Sequence, residues 1–147
     1  MKALLWLLSV LGLGIALAGC VTFADGANRT KGVLAVGLYT AVEIWQEVDL
    51  EAQKKILDAA ATRAAFEDAI TIYREAATRQ RVVKAFRTMR HGLASLSAAL
   101  RAYESGSAKK PEVDKALAAA FDAAAELVAA LQAAGVKISV ATLLGGS

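Results

Sequence analysis

Apolar residues recur at spacings of three and four along much of the chain, which is the pattern of amphipathic helices. From about Gly32 one narrow stripe comprises Leu34, Leu38, Ala41, Trp45, Val48, Ala52, Ile56 and Ala59. Nearly the same face continues through Phe66, Ile70, Tyr73 and Ala77. No Gly or Pro lies between Leu38 and His91, so the turn of this long segment is not fixed by the sequence. Asp49 and Thr62 each suit a helix N-cap, and we favour a turn near 60–63.

Two further apolar stripes follow. The next stripe is rotated around the helix axis by roughly a third of a turn relative to the stripe that ends at Ala77. The change occurs near Thr78–Arg81 and indicates a bend, a second turn or a change of helix partner. It comprises Val82, Phe86, Met89, Leu93, Leu96, Leu100 and Tyr103, and it ends at the loop sequence Glu104-Ser105-Gly106-Ser107. Pro111 suits the first turn of a last helix, and Gly135 suits its C-terminal cap. The stripe of that helix comprises Val113, Leu117, Ala120, Ala124, Leu127 and Leu131.

These patterns predict an all-α fold, an antiparallel bundle of three to four helices over residues 32–135. Helices with narrow apolar seams are not stable alone, so they must pack against one another or against a partner. The 147 residues correspond to one domain, 21% of them are charged, and the net charge is +3. Residues 136–147 form a C-terminal tail, which either packs as a short extended segment or stays loose.

The N-terminal segment has the pattern of a secretory signal. Met1 and Lys2 form a short positive end, and residues 3–18 are apolar except for Ser9. This run is shorter than the about 20 apolar residues of a membrane-spanning helix. We therefore predict a signal peptide over residues 1–19. Residues 20–31 are short, polar and glycine-containing, and we predict that they form a tether with a maximum reach of roughly 40 Å.

The sequence Leu17-Ala18-Gly19-Cys20 closely resembles the lipobox of bacterial lipoproteins. The resemblance covers the first twenty residues only, and we recognise no family for the remainder. It implies cleavage between Gly19 and Cys20, with diacylglycerol on the Cys20 thiol and an acyl chain such as palmitate on its amine. The chemistry requires a thiol, because the thiolate is a strong nucleophile. An ordinary signal peptide with a chance cysteine and an uncleaved anchor remain as alternatives.

The resemblance also implies a location. Asp after the lipidated cysteine retains lipoproteins of enteric bacteria in the inner membrane, and this chain has Val21 there. The expected location is therefore the bacterial envelope, anchored to the outer membrane and facing the periplasm. The sorting rule varies between bacteria, so the inner membrane stays open.

The sequence offers little for catalysis. Its single cysteine and single histidine exclude a disulfide framework and a multi-cysteine zinc site. His91 is best explained as a surface or interface residue. Ser107-Ala108-Lys109-Lys110 matches the S-x-x-K motif of penicillin-binding enzymes, but the accompanying S-D-N and K-T-G motifs are missing. We therefore predict no catalytic residue, no metal, no cofactor beyond the acyl groups on Cys20, and no enzymatic activity.

Basic residues cluster around the second stripe: Arg74, Arg79, Arg81, Lys84, Arg87, Arg90 and Arg101. At about 100° per residue they occupy the face opposite the stripe. Because an export signal makes nucleic acid an improbable partner, the remaining anions are lipid headgroups, envelope phosphates, acidic polymers or an acidic protein. The simplest alternative is a solvated face. The candidate anion-facing residues are Arg74, Arg81, Lys84, Arg87 and Arg90.

Three hypotheses follow for function. The first is a lipid-anchored structural or interaction module that binds an envelope protein or a second copy of itself. The second is a binding module with an interhelical cavity near Trp45, Phe66 and Phe86 for an apolar ligand. The third is a phage-encoded envelope lipoprotein such as a spanin partner, a class that is typically proline-rich, whereas this chain has one proline.

Overall fold

The computed structural model describes residues 22–144 and contains five helices and no strand within them. The helices are α1 (Phe23–Ala59), α2 (Arg63–Glu75), α3 (Ala77–Glu104), α4 (Lys110–Ala133) and α5 (Val140–Leu143). The predicted all-α bundle is confirmed. The predicted signal peptide, the lipobox with Cys20, and residues 145–147 lie outside the described residues.

The three long helices form the bundle. α1 and α3 are antiparallel, because Phe23 packs edge-on against Tyr103 at 5.3 Å between ring centroids, whereas Asp49 meets Arg79. α3 and α4 are joined by the predicted short loop, and they approach closely where Gly92 faces Ala120. A Cβ at Gly92 would lie 3.2 Å from the Ala120 Cα, so this glycine permits the close helix contact.

The core lies along the facing stripes of these three helices. Its largest fully buried side chains are Leu34, Val82, Met89, Leu96, Leu100, Val113, Leu127 and Leu131. Full burial of one such side chain is worth about 1.5–3 kcal/mol. Buried alanines fill the space between them and bring the helices close together: Ala41, Ala85, Ala120 and Ala130.

The chain turns twice between the first and second stripes. The turn predicted near 60–63 is confirmed, since α1 ends at Ala59 and the Thr62 hydroxyl accepts a hydrogen bond from the Ala65 amide at 3.2 Å. Asp49 does not cap a helix and lies inside α1. A second break occurs at Ala76, slightly before Thr78–Arg81, so the rotation of the stripe marks a second turn.

The predicted tether is wrong from Phe23 onward, where α1 begins. Thr22 and Asp25 form a capping box: the Thr22 hydroxyl accepts from the Asp25 amide at 3.2 Å, and the Asp25 carboxylate accepts from the Thr22 amide at 3.3 Å. Ala27 is buried, which ties this first turn to the core. Packing thus outweighs the helix-weakening effect of Gly26 and Gly32.

Residues 136–144 are packed against the bundle rather than loose. Gly135 caps α4 at φ +84° as predicted, and its amide and that of Val136 donate to the Gln132 and Leu131 carbonyls at 3.0 Å. Val136 and Ile138 are buried, and the chain then enters α5. Leu143 of α5 is buried against Gly37 of α1, where a side chain on residue 37 would overlap the Leu143 carbonyl.

α4 is the one described helix that is long and apolar enough, by length and composition, to cross a membrane. Of its most apolar window, 39% is buried inside the protein. Eight of its residues are buried, among them Ala120, Leu127 and Leu131. Buried core helices often have the same length and apolar composition, so these properties alone do not identify α4 as a membrane-spanning helix.

Candidate functional site: a groove between the first and third helices

A groove with apolar and charged walls lies between α1 and α3. α1 contributes Val42, Trp45 and Gln46, and α3 contributes Val83, Phe86, Arg87 and Arg90. Its volume is about 230 Å³. Trp45 and Phe86 are half-buried and pack against the core, so the lining of the groove combines apolar surface with two exposed arginines.

The spacing of the basic residues explains why only two of them reach this groove. Arg81, Lys84, Arg87 and Arg90 are three residues apart, so successive side chains are displaced by about 60° around the helix. Arg87 and Arg90 line the groove, whereas Arg81 and Lys84 are exposed and do not line it. The row of basic residues therefore winds around α3 and does not stay on one face.

Arg74 and Arg79 lie apart from this row. Arg74 belongs to α2, where it is exposed, and its carbonyl accepts a hydrogen bond from the Gln80 side chain at 2.8 Å. Arg79 is turned toward α1 and paired with Asp49 at 2.9 Å. Arg101 is exposed near the end of α3. The basic residues expected on one helix face therefore lie in different places: two line the groove, Arg79 pairs with Asp49, and the others are exposed on α2 and α3.

Arg87 and Arg90 make no ion pair with any residue between 22 and 144. The ion pairs over that range are Glu51–Lys55, Arg63–Glu67 and Asp49–Arg79. α1 contributes only one polar side chain to the groove, the uncharged Gln46. The groove therefore has positive charge on its rim and no carboxylate in its lining.

Asp49 joins three helices just beyond the groove. Its carboxylate accepts hydrogen bonds from the Tyr73 hydroxyl at 2.8 Å, from Arg79 Nε at 2.9 Å and from Gln53 Nε2 at 2.7 Å. The Asp49 and Arg79 side chains are only 15% and 23% exposed. The Arg79 guanidinium also lies 5.7 Å from the centre of the Tyr73 ring. This cluster holds α2 and α3 to α1.

The same cluster shifts two ionisation equilibria. Burial alone would raise the pKa of Asp49, but the hydrogen bonds from Arg79 and Tyr73 outweigh it and hold that pKa below its ordinary value. Burial, together with the hydrogen bond to Asp49, raises the pKa of Tyr73 to about 12. All three groups therefore keep their ordinary charge at neutral pH, and their arrangement is that of a structural junction. This junction is not predictable from local sequence patterns, because Tyr73 and Arg79 are 24 and 30 residues away from Asp49.

The opposite end of the α1–α3 contact is also held by polar and aromatic groups. Asn28 Nδ2 donates to Glu104 Oε1 at 2.9 Å. The Phe23 ring, which packs against Tyr103 of α3, also lies 4.9 Å from Lys110 Nζ at the start of α4. α1 and α3 are therefore fastened by side-chain contacts on both sides of the groove.

The other candidates for chemistry do not form a site. His91 is exposed, and residues 22–144 contain no group of three His, Cys, Asp or Glu side chains able to hold a metal ion. In the S-x-x-K sequence, Ser107 Oγ donates to the Ala102 carbonyl at 3.1 Å, whereas Lys110 lies over Phe23. Ser107 and Lys110 thus make separate contacts in a loop and at the start of a helix.

The three aromatic residues expected around one cavity are divided between two places. Trp45 and Phe86 share the groove because α1 and α3 are antiparallel in matching register. Phe66 lies instead beside Leu57 and Thr62 in a separate open pocket at the α1–α2 turn. The prediction of one cavity lined by Trp45, Phe66 and Phe86 is therefore wrong for Phe66.

No protein-family model, no curated protein and no solved structure matches this chain. Its function is accordingly argued from its own residues and their geometry.

Proposed function

We propose that the protein is a lipid-anchored component of the bacterial cell envelope, and that its helical bundle is a structural or protein-interaction module. The observation that carries this proposal is Leu17-Ala18-Gly19-Cys20 at the end of an apolar run. Diacylglycerol and an N-acyl chain on Cys20 would supply two or more chains, which is the number that stable anchoring requires. The bundle would face the periplasm, with the outer membrane as its expected location.

The start of α1 supports a short connection between anchor and bundle. The N-cap Thr22 lies two positions after Cys20, and the capping box fixes the first turn from there. An acylated Cys20 would therefore hold the end of the bundle that contains Phe23, Tyr103 and Lys110 close to the lipid headgroups. Lys110 would suit that position, because anionic headgroups attract basic side chains.

Large exposed apolar side chains lie in two places on the bundle. One set is Val33, Val36 and Tyr39 in the N-terminal half of α1, and the other lies on the α1–α2 hairpin, residues 50–75, far from Cys20 along α1. The α1–α2 hairpin exposes Leu50, Leu57 and Ile72, at 68%, 57% and 72% of their surface. Exposed large apolar side chains gathered on one element are typical of an interaction surface. This favours an envelope protein or a second copy of the chain as the partner.

Metabolic labelling with a radioactive or clickable fatty acid tests the anchor. The wild-type protein should incorporate the label and fractionate with a membrane, and the Cys20→Ala variant should lose the label. The membrane fraction then distinguishes an outer-membrane from an inner-membrane location. An unlabelled, freely diffusing protein would contradict the anchor, and an unlabelled membrane protein of full precursor mass would identify residues 3–19 as a spanning segment.

A second candidate function, a binding module, is favoured by the groove at Trp45 and Phe86. It combines half-buried aromatic rings with two guanidinium groups that have no acidic partner within residues 22–144. Ligand sites are commonly apolar clefts with a few placed polar groups.

A further inference from the structure

We propose that the groove between α1 and α3 binds an anionic amphiphile, a single-chain lipid phosphate whose chain lies against Trp45 and Phe86 and whose phosphate contacts Arg87 and Arg90. The proposal gives the envelope protein a ligand, but it rests on the groove alone. All residues that line the groove belong to the described bundle, and none belongs to the lipobox.

The floor of the groove fits an apolar chain. Trp45 and Phe86 are half-buried, and Val42 and Val83 complete the apolar lining. Covering this surface removes apolar area from water, which is worth roughly 25 cal/mol for each Å² covered. The volume of about 230 Å³ lies below the range of about 300–1,000 Å³ that is usual for whole drug-sized ligands. The groove therefore fits part of an acyl chain rather than an entire two-chain lipid.

The rim fits a phosphate. Residues three apart on a helix have Cβ atoms about 5–6 Å apart, so the guanidinium groups of Arg87 and Arg90 can reach the same phosphate. A bound dianion relieves their repulsion and accepts hydrogen bonds from both planar guanidinium groups. No carboxylate is among the residues that line the groove.

The size of the groove favours a small amphiphile over a docked protein helix. On α3 the lining runs from Val83 to Arg90, which is about two helical turns or 10 Å. The Asp49–Arg79 pair then connects the two helices directly beyond Val83. A docked helix with anchors at i, i+3, i+4 and i+7 would need this whole length and would end against the Asp49–Arg79 pair, whereas a short acyl chain needs only part of it.

Trp45 gives a direct reading of binding, because the chain has only one other tryptophan, Trp6. The experiment uses the full-length protein with Trp6→Phe, reconstituted in phosphatidylcholine nanodiscs, with empty nanodiscs as the blank. Octyl phosphate is titrated while Trp45 emission is recorded. We expect a saturable change in emission. Binding should be about tenfold weaker for octylphosphocholine, whose phosphate charge is balanced by its own ammonium group, and for inorganic phosphate, which has no chain.

Two double variants separate the groove from general attraction to a basic helix. Arg87→Gln with Arg90→Gln should weaken octyl phosphate binding about tenfold or more. Arg81→Gln with Lys84→Gln removes the same charge from the same helix outside the groove, and it should leave the dissociation constant within about twofold. All four side chains are exposed, so both variants should keep the melting temperature of the parent protein. Val42→Phe, which narrows the apolar floor without changing charge, should also weaken binding.

Several results would overturn the proposal. A titration that does not saturate would do so. An equal loss of affinity in the two double variants would show that α3 attracts anions through its overall positive charge and not through the groove. Equal affinity for octylphosphocholine would show that the groove does not select a net anionic ligand, and equal affinity for inorganic phosphate would remove the role of Trp45 and Phe86. The same titration with the Cys20→Ala chain should be unchanged, so failure of the lipid anchor and failure of the ligand site are distinguishable.

Discussion

At the scale of single residues, the Asp49 carboxylate connects α1 to α2 and α3, because it accepts hydrogen bonds from Tyr73 and Arg79 as well as from Gln53 of its own helix. We expect Asp49→Asn to lower the free energy of unfolding by about 1–2 kcal/mol at pH 7, since hydrogen bonds to a charged acceptor are stronger than those to a neutral one. Urea denaturation measures this loss. Glu47→Gln on the exposed side of α1 is the matched control and should be nearly neutral.

The contribution of Asp49 should depend on pH with a defined sign. Its pKa is lowered in the folded protein, so the stabilisation is complete above the unfolded pKa of about 4 and is lost as pH falls through the folded pKa. The difference in unfolding free energy between wild type and Asp49→Asn should therefore shrink at acidic pH. A difference that stays constant from pH 7 to pH 2 would contradict this account.

In contrast to that from Asp49, the stabilisation from Tyr73 should be lost at alkaline pH. Its pKa is raised to about 12 from the ordinary 10.0, so its stabilisation is present below pH 10 and is lost as pH rises toward 12. In Tyr73→Phe this loss of stability between pH 10 and pH 12 should be absent. Unfolding followed by circular dichroism at increasing pH measures the difference. If Tyr73→Phe lost as much stability at alkaline pH as the wild type, other titrating groups would be responsible for the loss.

Two glycines of α1 should respond to the same substitution with opposite signs. Gly37→Ala should destabilise the protein by about 1–3 kcal/mol, because the new Cβ would overlap the backbone of Leu143. Gly32→Ala has open space around the new Cβ and should stabilise the helix by about 0.5–1 kcal/mol. Thermal unfolding of the two variants measures the contrast, and a gain in stability for Gly37→Ala would show that α5 is not held at this position.

At the scale of helices, the α1–α2 hairpin differs from the rest of the bundle. Ile70 is the only buried residue between 50 and 76, whereas α4 buries eight. We expect backbone amides of residues 50–75 to exchange with deuterium faster than those of α3 and α4, because local opening exposes little apolar surface there. Ile70→Ala should accelerate exchange in the hairpin and leave α4 unchanged. Protection in the isolated protein equal to that of α4 would contradict this expectation.

Helix periodicity predicted much of the fold because each helix has a local signature. The turn at Thr62, the loop at Gly106, the start of α4 at Pro111 and the cap at Gly135 each depend on a few neighbouring residues. The sequence predicts a helix start near Gly32, later than the observed start at Phe23, because residues 20–31 are polar and contain Gly26, which is typical of a tether. The Thr22–Asp25 capping spacing, followed by Ala27 and Leu34, was the signal that would have placed it correctly.

The groove was only partly predictable for a different reason. Trp45 and Phe86 were each visible as aromatic residues on apolar stripes, but their pairing depends on the register of α1 against α3. That register is set by contacts between residues far apart in sequence, such as Asn28 with Glu104 and Asp49 with Arg79. The same distance explains why Phe66 was wrongly grouped with them.

At the scale of the whole molecule, the position of Cys20 predicts an orientation on the membrane. α1 has 37 residues and is therefore about 55 Å long. If Cys20 carries the anchor, the loop at Ser105 lies near the headgroups and the turn at Ala61 lies far from them. A spin label at Ser105 should be broadened by a gadolinium lipid, whereas a label at Ala61 should not. Equal broadening at both sites would show that the bundle lies flat.

The contact between Leu143 and Gly37 also orders events during synthesis. It joins residues from opposite halves of the chain, and Val136 and Ile138 add further buried surface to the same late segment. While residues 136–144 are still inside the ribosome, the surface of α1 around Gly37 lacks the side chains that bury it in the folded protein. The native core therefore closes only after nearly all of the described chain has been made. If residues 1–19 are the export signal proposed above, they would emerge from the ribosome while the core of the bundle is still open.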